Sequence, residues 1–185
     1  MIVQACVNGA RPATYHPALP LTAEAIARDA MACVDAGAAE LHLHPRGADG
    51  RETVDAAVMD ETVLAVRQAC PGTLFGVSTG EWVEGRNDRL LSCIENWRER
   101  PDYASVNLSE RGAPAVMERL WRAGIGVEAG LASIADAERL VTLRLGSRVL
   151  RILIEIDEQN ATAAVAAAEG IRAILDRAAL RRPVL

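Results

Sequence analysis

The chain has 185 residues, 50% of them apolar but only 3% aromatic, and a formal net charge of −5. That length supports one sizeable core, and the composition makes the core aliphatic. The acidic balance argues against nucleic acid or an anionic membrane surface as the main partner, and no apolar run is long enough to span a bilayer.

Residues 2–8 read as a buried strand; the segment lacks the basic start and long apolar region of a secretion signal. Thr22 caps a helix over Ala23 to Asp35, with Gly37 just past its end. Residues 39–44 form a second strand. Asp55 to Cys70 is an amphipathic helix followed by Pro71-Gly72. A third strand covers 73–78, and a helix runs from Arg86 to Glu99, ended by Pro101. The fourth strand is 103–107, followed by a helix from Pro114 to Ala123 and a short fifth strand, 126–129. Ser133 caps a helix over Ile134 to Leu143. Residues 149–156 form the sixth strand and Ala161 to Ala179 an Ala-rich helix. Pro183-Val184-Leu185 reads as the opening of a seventh strand.

Repeated strand–helix units imply an α/β fold with a parallel sheet covered by helices. A doubly wound open sheet and a (β/α) barrel both satisfy this pattern. Two features favour the barrel. Polar residues gather at the C-terminal ends of successive strands: Asn8, His42 and His44, Ser78 and Thr79, Asn107 and Ser109, Glu128, Glu155. In a barrel those ends converge on one mouth, where active sites lie. Nor is any strand followed by a phosphate-cradling glycine loop. A complete barrel takes about 250 residues. The expectation is therefore a single (β/α)8 TIM-type barrel domain over residues 1–185 that lacks its last strand–helix units.

His42 and His44 are two residues apart on a strand end, so their side chains share one face while Leu41 and Leu43 enter an apolar layer. Side-by-side imidazoles are half of a metal site, since catalytic zinc takes three protein ligands in most cases. The other strand-end residues each carry a structural reading as well. Thr79 in Ser78-Thr79-Gly80 fits a helix cap, whereas Ser78 is better placed to face a ligand. Asn107 fits a tie to its own loop, and Glu110 a solvated charge. Glu128, between Val127 and Ala129, is costly to bury unless paired or metal-bound. Glu155 is similar, with Arg151 four residues earlier as a partner. Arg46 anchors either a substrate carboxylate or a loop.

The four cysteines, Cys6, Cys33, Cys70 and Cys93, are widely spaced with no Cys-x-x-Cys. They read as reduced core thiols in a cytoplasmic protein. The chain contains no lysine. Schiff-base and pyridoxal-phosphate chemistry need a lysine amine, so both are excluded for these residues. Carbonyl chemistry here calls for a metal or a set of hydrogen-bond donors.

Taken together, Val7-Asn8-Gly9-Ala10, His16-Pro17, Leu19-Pro20-Leu21-Thr22, Ala36-Gly37-Ala38, His42-Leu43-His44-Pro45-Arg46, Val77-Ser78-Thr79-Gly80, Ser105 to Glu110 and Val127 to Leu131 resemble the β-keto acid cleavage enzymes, of the 3-keto-5-aminohexanoate cleavage enzyme type, in a shorter branch of that family. The resemblance implies a zinc-dependent (β/α)8 barrel that reacts a β-keto acid with acetyl-CoA, giving acetoacetate and a new CoA thioester. It implies zinc, or another divalent metal, on His42 and His44, a catalytic network containing Glu128, and Ser78 holding substrate. Arg46 and Arg11 are candidates for the substrate carboxylate. Thr79, Gly80, Asn107, Ser109 and Glu110 are further candidates for substrate contacts.

The family's third zinc ligand is a glutamate in Arg-x-Gly-x-Glu-Asp, which has no counterpart here and is expected beyond Leu185. Arg11 stands where characterised members have a glutamate, and Ser109-Glu110 near their Gly-Thr, which points to a different substrate side chain or another reaction. Open strand edges need cover, so a homo-oligomer is expected. The alternatives are another metal-dependent aldolase or hydrolase on the same barrel, or a non-catalytic protein binding a small acid.

Overall fold

The structure, a computed structural model, describes residues 2–185. The chain forms two compact units, one ending at Ala104 and the other Ser105–Leu185. Both are α/β, with parallel strands alternating with helices.

The first unit contains β1 (Gln4–Cys6), α1 (Ala23–Asp35), β2 (Glu40–Leu43), α2 (Ala56–Ala69), β3 (Leu74–Ser78), α3 (Glu81–Glu84), α4 (Asn87–Asn96) and the opening of β4 (Tyr103–Asn107). The helix starts follow their caps. Thr22 Oγ1 accepts from the Ala25 N–H at 3.2 Å, and Asp55 Oδ1 from the Ala57 N–H at 3.0 Å. β2 pairs in parallel with both β1 and β3. Leu41 is in register with Phe75 and Leu43 with Val77, and all four are fully buried. That face meets the helical layer: α1 packs on β2 and on α2, burying Ile26, Ala30, Met59 and Val66. The opposite face carries Gln4, Glu40, His42 and Gly76. The Tyr103 ring lies on Gly76, where a Cβ would come within 2.1 Å of it. Its hydroxyl donates to the Leu41 carbonyl at 2.7 Å and accepts from Gln4 Nε2 at 2.8 Å. One phenol thus ties β1, β2 and β4 together.

The second unit holds the rest of β4, then α5 (Ala113–Arg122), β5 (Gly126–Leu131), α6 (Ile134–Thr142), β6 (Arg151–Ile154) and α7 (Ala161–Arg177). β5 and β6 are parallel, with Glu128 in register with Arg151. The Leu108 N–H donates to Gly130 O at 3.0 Å, joining the end of β4 to β5. α5 and α6 pack on β5, and α7 packs on α6. Ser133 and Asp136 form a capping box at the start of α6. Val184 bridges Ile152 in parallel, and the Leu185 N–H donates to Ile152 O at 2.9 Å, so residues 183–185 lie beside β6 as a strand opening.

Several expected elements differ in extent. The first and sixth strands are shorter than 2–8 and 149–156. The helix expected from Arg86 to Glu99 stops at Asn96, because the Arg98 and Glu99 N–H groups both donate to Asp60 Oδ1 at 3.0 Å. The Trp97 indole also turns inward to Val54 O at 2.8 Å. The single turn of α3 had no expectation. All four cysteines are free thiols, but only Cys70 is buried; Cys33 and Cys93 are half-buried and Cys6 is exposed, so the reading of four core thiols is corrected. No helix among the described residues is long and apolar enough to cross a membrane.

Replacing Tyr103 with Phe leaves the ring in place and removes both hydrogen bonds. The expected loss is about 1–3 kcal/mol of unfolding free energy, read as a lower urea midpoint at unchanged slope.

Candidate active site

β2 delivers His42 in its last turn of pleat and His44 just beyond its end. The two rings lie on the same side, with centroids 5.0 Å apart and planes at 63°. Both residues are buried, at 7% and 8% exposure.

His44 is held at backbone and ring. Asn8 Oδ1 accepts from the His44 N–H at 2.9 Å, and Asn8 Nδ2 donates to the His44 carbonyl at 2.7 Å. The amide also reaches Pro20 O at 3.3 Å. The ring Nδ1 meets Glu52 Oε1 in a short hydrogen bond. The other Glu52 oxygen accepts from Trp82 Nε1 at 2.7 Å. Glu52 arrives there on a hairpin. Arg46 and Glu52 bridge antiparallel, the Gly47 N–H donates to Arg51 O at 2.9 Å, and the Thr53 N–H donates to Pro45 O at 3.1 Å. Gly50 turns the chain with φ of +75°, a conformation that favours glycine, and sits tight against Ala13.

Burial raises the Glu52 carboxyl, but the hydrogen bond and charge of His44, the Trp82 donor and the charge of Arg46 outweigh it and hold the group below the usual range. An ionised carboxylate only accepts hydrogen bonds, so the proton shared in this contact is carried by Nδ1 of His44, and Nε2 is the nitrogen turned away from Glu52. Among the described residues, no group of three or more His, Cys, Asp or Glu side chains is placed to hold a metal ion.

Arg46 is buried at 7% exposure and stitches two loops: Nη1 donates to Gly50 O at 3.3 Å and Nη2 to Gly9 O. Arg11 is exposed, its guanidinium 4.8 Å from the Tyr15 ring centre. Both arginines line one cleft between these loops. At the end of β3, Ser78 shares the face of Gly76 and hence of His42. Its hydroxyl accepts from the Gly80 N–H at 3.4 Å. Thr79 is fully buried, and the cap of α3 is Gly80 with no side-chain cap bond, so the expected cap role of Thr79 does not occur. Gly80 leaves room for the Trp82 ring, which would meet a Cβ at 2.2 Å.

In the second unit, Asn107 Nδ2 donates to Glu110 Oε1 at 3.3 Å, and its Oδ1 lies over Gly130, where a Cβ would come within 2.7 Å. Ser109 is exposed. Arg139 fixes this loop from α6, donating to the carbonyls of Leu108, of Glu110 at 2.7 Å and of Arg111 at 3.2 Å. Glu128 is fully buried, and Arg151 Nε donates to its Oε2 at 2.6 Å. The expected pairing of Arg151 with Glu155 is thereby corrected; the cross-strand register brings Glu128 to Arg151 instead.

The sequence reading missed Glu52, Trp82 and Arg139, and took Asn8 only as a strand-end polar group. Asp49-Gly50 is a hairpin turn signal. Followed through, it folds Glu52 back onto the strand end that carries His44.

A family model for the beta-keto acid cleavage enzymes matches residues 1–144. The chain belongs to the β-keto acid cleavage enzyme family. A 3-keto-5-aminohexanoate cleavage enzyme of Fusobacterium nucleatum is 40% identical over 108 residues, which are 58% of this chain and 39% of that protein. The enzyme of the same name from Acetoanaerobium sticklandii is 38% identical over 108 residues, 58% of this chain and 38% of that protein. The matched region thus spans less than two fifths of each relative. Among solved structures, ObcA in a binary complex with oxaloacetate is similar with a TM-score of 0.68 at 18% identity, over 91% of this chain and 51% of that one. A mandelate racemase/muconate lactonizing enzyme from Roseiflexus sp. gives 0.60 at 16% identity, over 100% of this chain and 48% of that one. These two likenesses concern the fold.

Glu128→Gln removes the buried carboxylate charge that Arg151 Nε meets at 2.6 Å. The expected cost is about 3–5 kcal/mol in chemical unfolding, and a double change to Glu128→Leu with Arg151→Met recovers most of it. A Glu128→Gln protein as stable as the parent removes the pair from the account of this unit's stability.

Proposed function

We propose that the protein cleaves a β-keto acid with acetyl-CoA, giving acetoacetate and a new CoA thioester, at a zinc site to which His42 and His44 contribute. The observation that carries this reading is the imidazole pair, 5.0 Å between centroids, with one ring oriented by an ionised carboxylate in a chain of this family. The donor set fits: neutral imidazole nitrogens suit zinc, and a carboxylate on the far nitrogen is the usual second partner of a ligating histidine. Another divalent ion that accepts imidazole is the nearest substitute.

Bound zinc would supply Lewis-acid polarisation of the β-keto carbonyl. The chain's own residues do the rest. His42 and His44 hold the metal, and Glu52 keeps the His44 ring in one tautomer and orientation. Arg46 and Arg11 offer guanidinium donors to the acid's carboxylate. Ser78 presents its hydroxyl on the face that carries His42, and Thr79 and Gly80 shape the turn behind it. Glu128, with Arg151 beside it, is the proposed carboxylate of the catalytic network. Asn107, Ser109 and Glu110 are proposed to contact substrate.

On the same reading the strands belong to a single (β/α)8 barrel domain, supported by the fold likeness to chains about twice as long. The protein works as a homo-oligomer in the cytoplasm, with no nucleic-acid or membrane partner.

Metal analysis tests the centre: His42→Ala and His44→Ala each lose bound zinc, and an unchanged zinc content would place the metal elsewhere. Product formation from a panel of β-keto acids tests the reaction. It is expected to require acetyl-CoA, and turnover without it would assign a hydrolase or aldolase. Glu52→Ala is expected to weaken zinc binding about 10–100-fold, the usual effect of removing a ligand's outer partner, measured by competition with a chromogenic chelator.

A further inference from the structure

The hairpin that brings Glu52 to His44 ends its pairing at Thr53, and the chain beyond that point is held from α3. Glu84, the last residue of that single turn, is the anchor. Its Oε1 accepts from the Thr53 hydroxyl at 2.7 Å and from the Val54 N–H at 2.9 Å. Its Oε2 meets Arg89 Nε at 2.6 Å. The Glu84 side chain is only 3% exposed. A carboxylate buried to that degree is costly unless donors surround it, and here both oxygens are engaged.

Two positions earlier on the same turn, Trp82 Nε1 donates to Glu52 Oε2 at 2.7 Å. The Trp82 ring lies against Gly80, where a Cβ would meet it at 2.2 Å. One turn therefore grips three consecutive residues, Glu52, Thr53 and Val54. Val54 is held a second time by the Trp97 indole, which donates to its carbonyl at 2.8 Å. The tip of the hairpin offers no such grip: Ala48, Asp49 and Arg51 are exposed, and an exposed tip has few contacts to oppose a shift. Yet the Glu52 carboxylate has to reach Nδ1 of His44 with one oxygen while the other stays on the indole. Hydrogen bonds weaken steeply with misalignment, so a displaced 52–54 backbone loosens the His44 ring.

We infer that Glu84 is a positioning residue: through the backbone of residues 52–54 it sets where the Glu52 carboxylate stands, and so the orientation in which His44 is offered to a metal. The inference rests on the proposed metal centre for its consequence and on these contacts alone for its geometry. Removing the outer partner of a ligating histidine changes metal affinity about 10–100-fold. Glu84 stands one contact further out, so its effect falls at the lower end of that range.

Two readouts test it: zinc affinity, by competition with a chromogenic chelator, and the Nδ1–H signal of His44 in nitrogen-edited NMR of the metal-free chain. Glu84→Ala is expected to weaken zinc binding about tenfold and to shift or broaden the His44 signal. Glu84→Gln, whose amide oxygen accepts the same two donors, is expected to keep both readouts near those of the parent. In a Glu52→Ala background, Glu84→Ala is expected to add nothing to the loss of zinc affinity, because residues acting through one another are not additive. A merely structural role would add its loss there too. Should Glu84→Ala fail to fold, Thr53→Val, which removes one of the two donors, is expected to move both readouts in the same direction. Unchanged readouts in the folded variant, or a full further loss on top of Glu52→Ala, would overturn the inference. A parent chain that binds no zinc, but whose His44 signal still follows Glu84, would remove the metal centre and leave the positioning in place.

Discussion

The contact between Glu52 and the Nδ1 of His44 organises the first unit's site. Burying a carboxylate beside an imidazole is unfavourable on its own. Here the cost is offset by a ring of donors: His44 on one oxygen, the Trp82 indole on the other, and the Arg46 charge nearby. The result fixes which ring nitrogen carries the proton. A histidine free to flip or exchange tautomers would present a ligand lone pair only part of the time. Asn8 adds the backbone half of the same constraint, taking the N–H and C=O that β2 no longer pairs where it ends.

The carboxylate at Glu128 shows the other use of a buried acid. Its partner is a neighbouring-strand arginine at 2.6 Å, reached through the parallel register of β5 and β6. Such a pair contributes little net stability compared with an apolar pair of equal volume, yet loss of one member is severe. It fixes register: a slip of one residue between β5 and β6 would turn the two charges to opposite faces. Any role of Glu128 in chemistry is exercised with Arg151 alongside it.

Local signals in the sequence carried much of the fold. Thr22 and Ser133 were legible as caps, and each side-chain oxygen accepts a backbone N–H as read; Asp55 and Asn160 do the same for helices that were legible from amphipathicity and from an Ala-rich run. The two-residue alternation at His42 and His44 placed both rings on one side and Leu41 and Leu43 on the other, as observed. What failed depended on distant partners. Asp60 ends α4 early from a helix nearly forty residues upstream. Arg151 chose a residue in register across the sheet over one four positions along its own strand. A strand's sequence records which face a residue occupies, but not the register that selects its neighbour.

The hairpin over residues 46–52 joins two demands that usually fall on separate loops. Its final residue, Glu52, sets the His44 ring; its turn, Gly50 and Arg51, forms a wall of the arginine cleft. Arg46, at its base, spans both by donating to the hairpin's Gly50 carbonyl and to Gly9 across the cleft. Guanidinium suits this post better than ammonium, because its planar fork can serve two fixed carbonyls and still point a third donor elsewhere. A change in hairpin length or at its glycine turn would therefore move the imidazole's partner and the cleft wall together. The cleft wall and the orientation of the His44 ring are thus mechanically coupled through one seven-residue loop. A tolerant surface loop does not have this property, which gives a physical reason for its charge-rich sequence, Arg46-Gly47-Ala48-Asp49-Gly50-Arg51-Glu52, in place of an ordinary flexible connection.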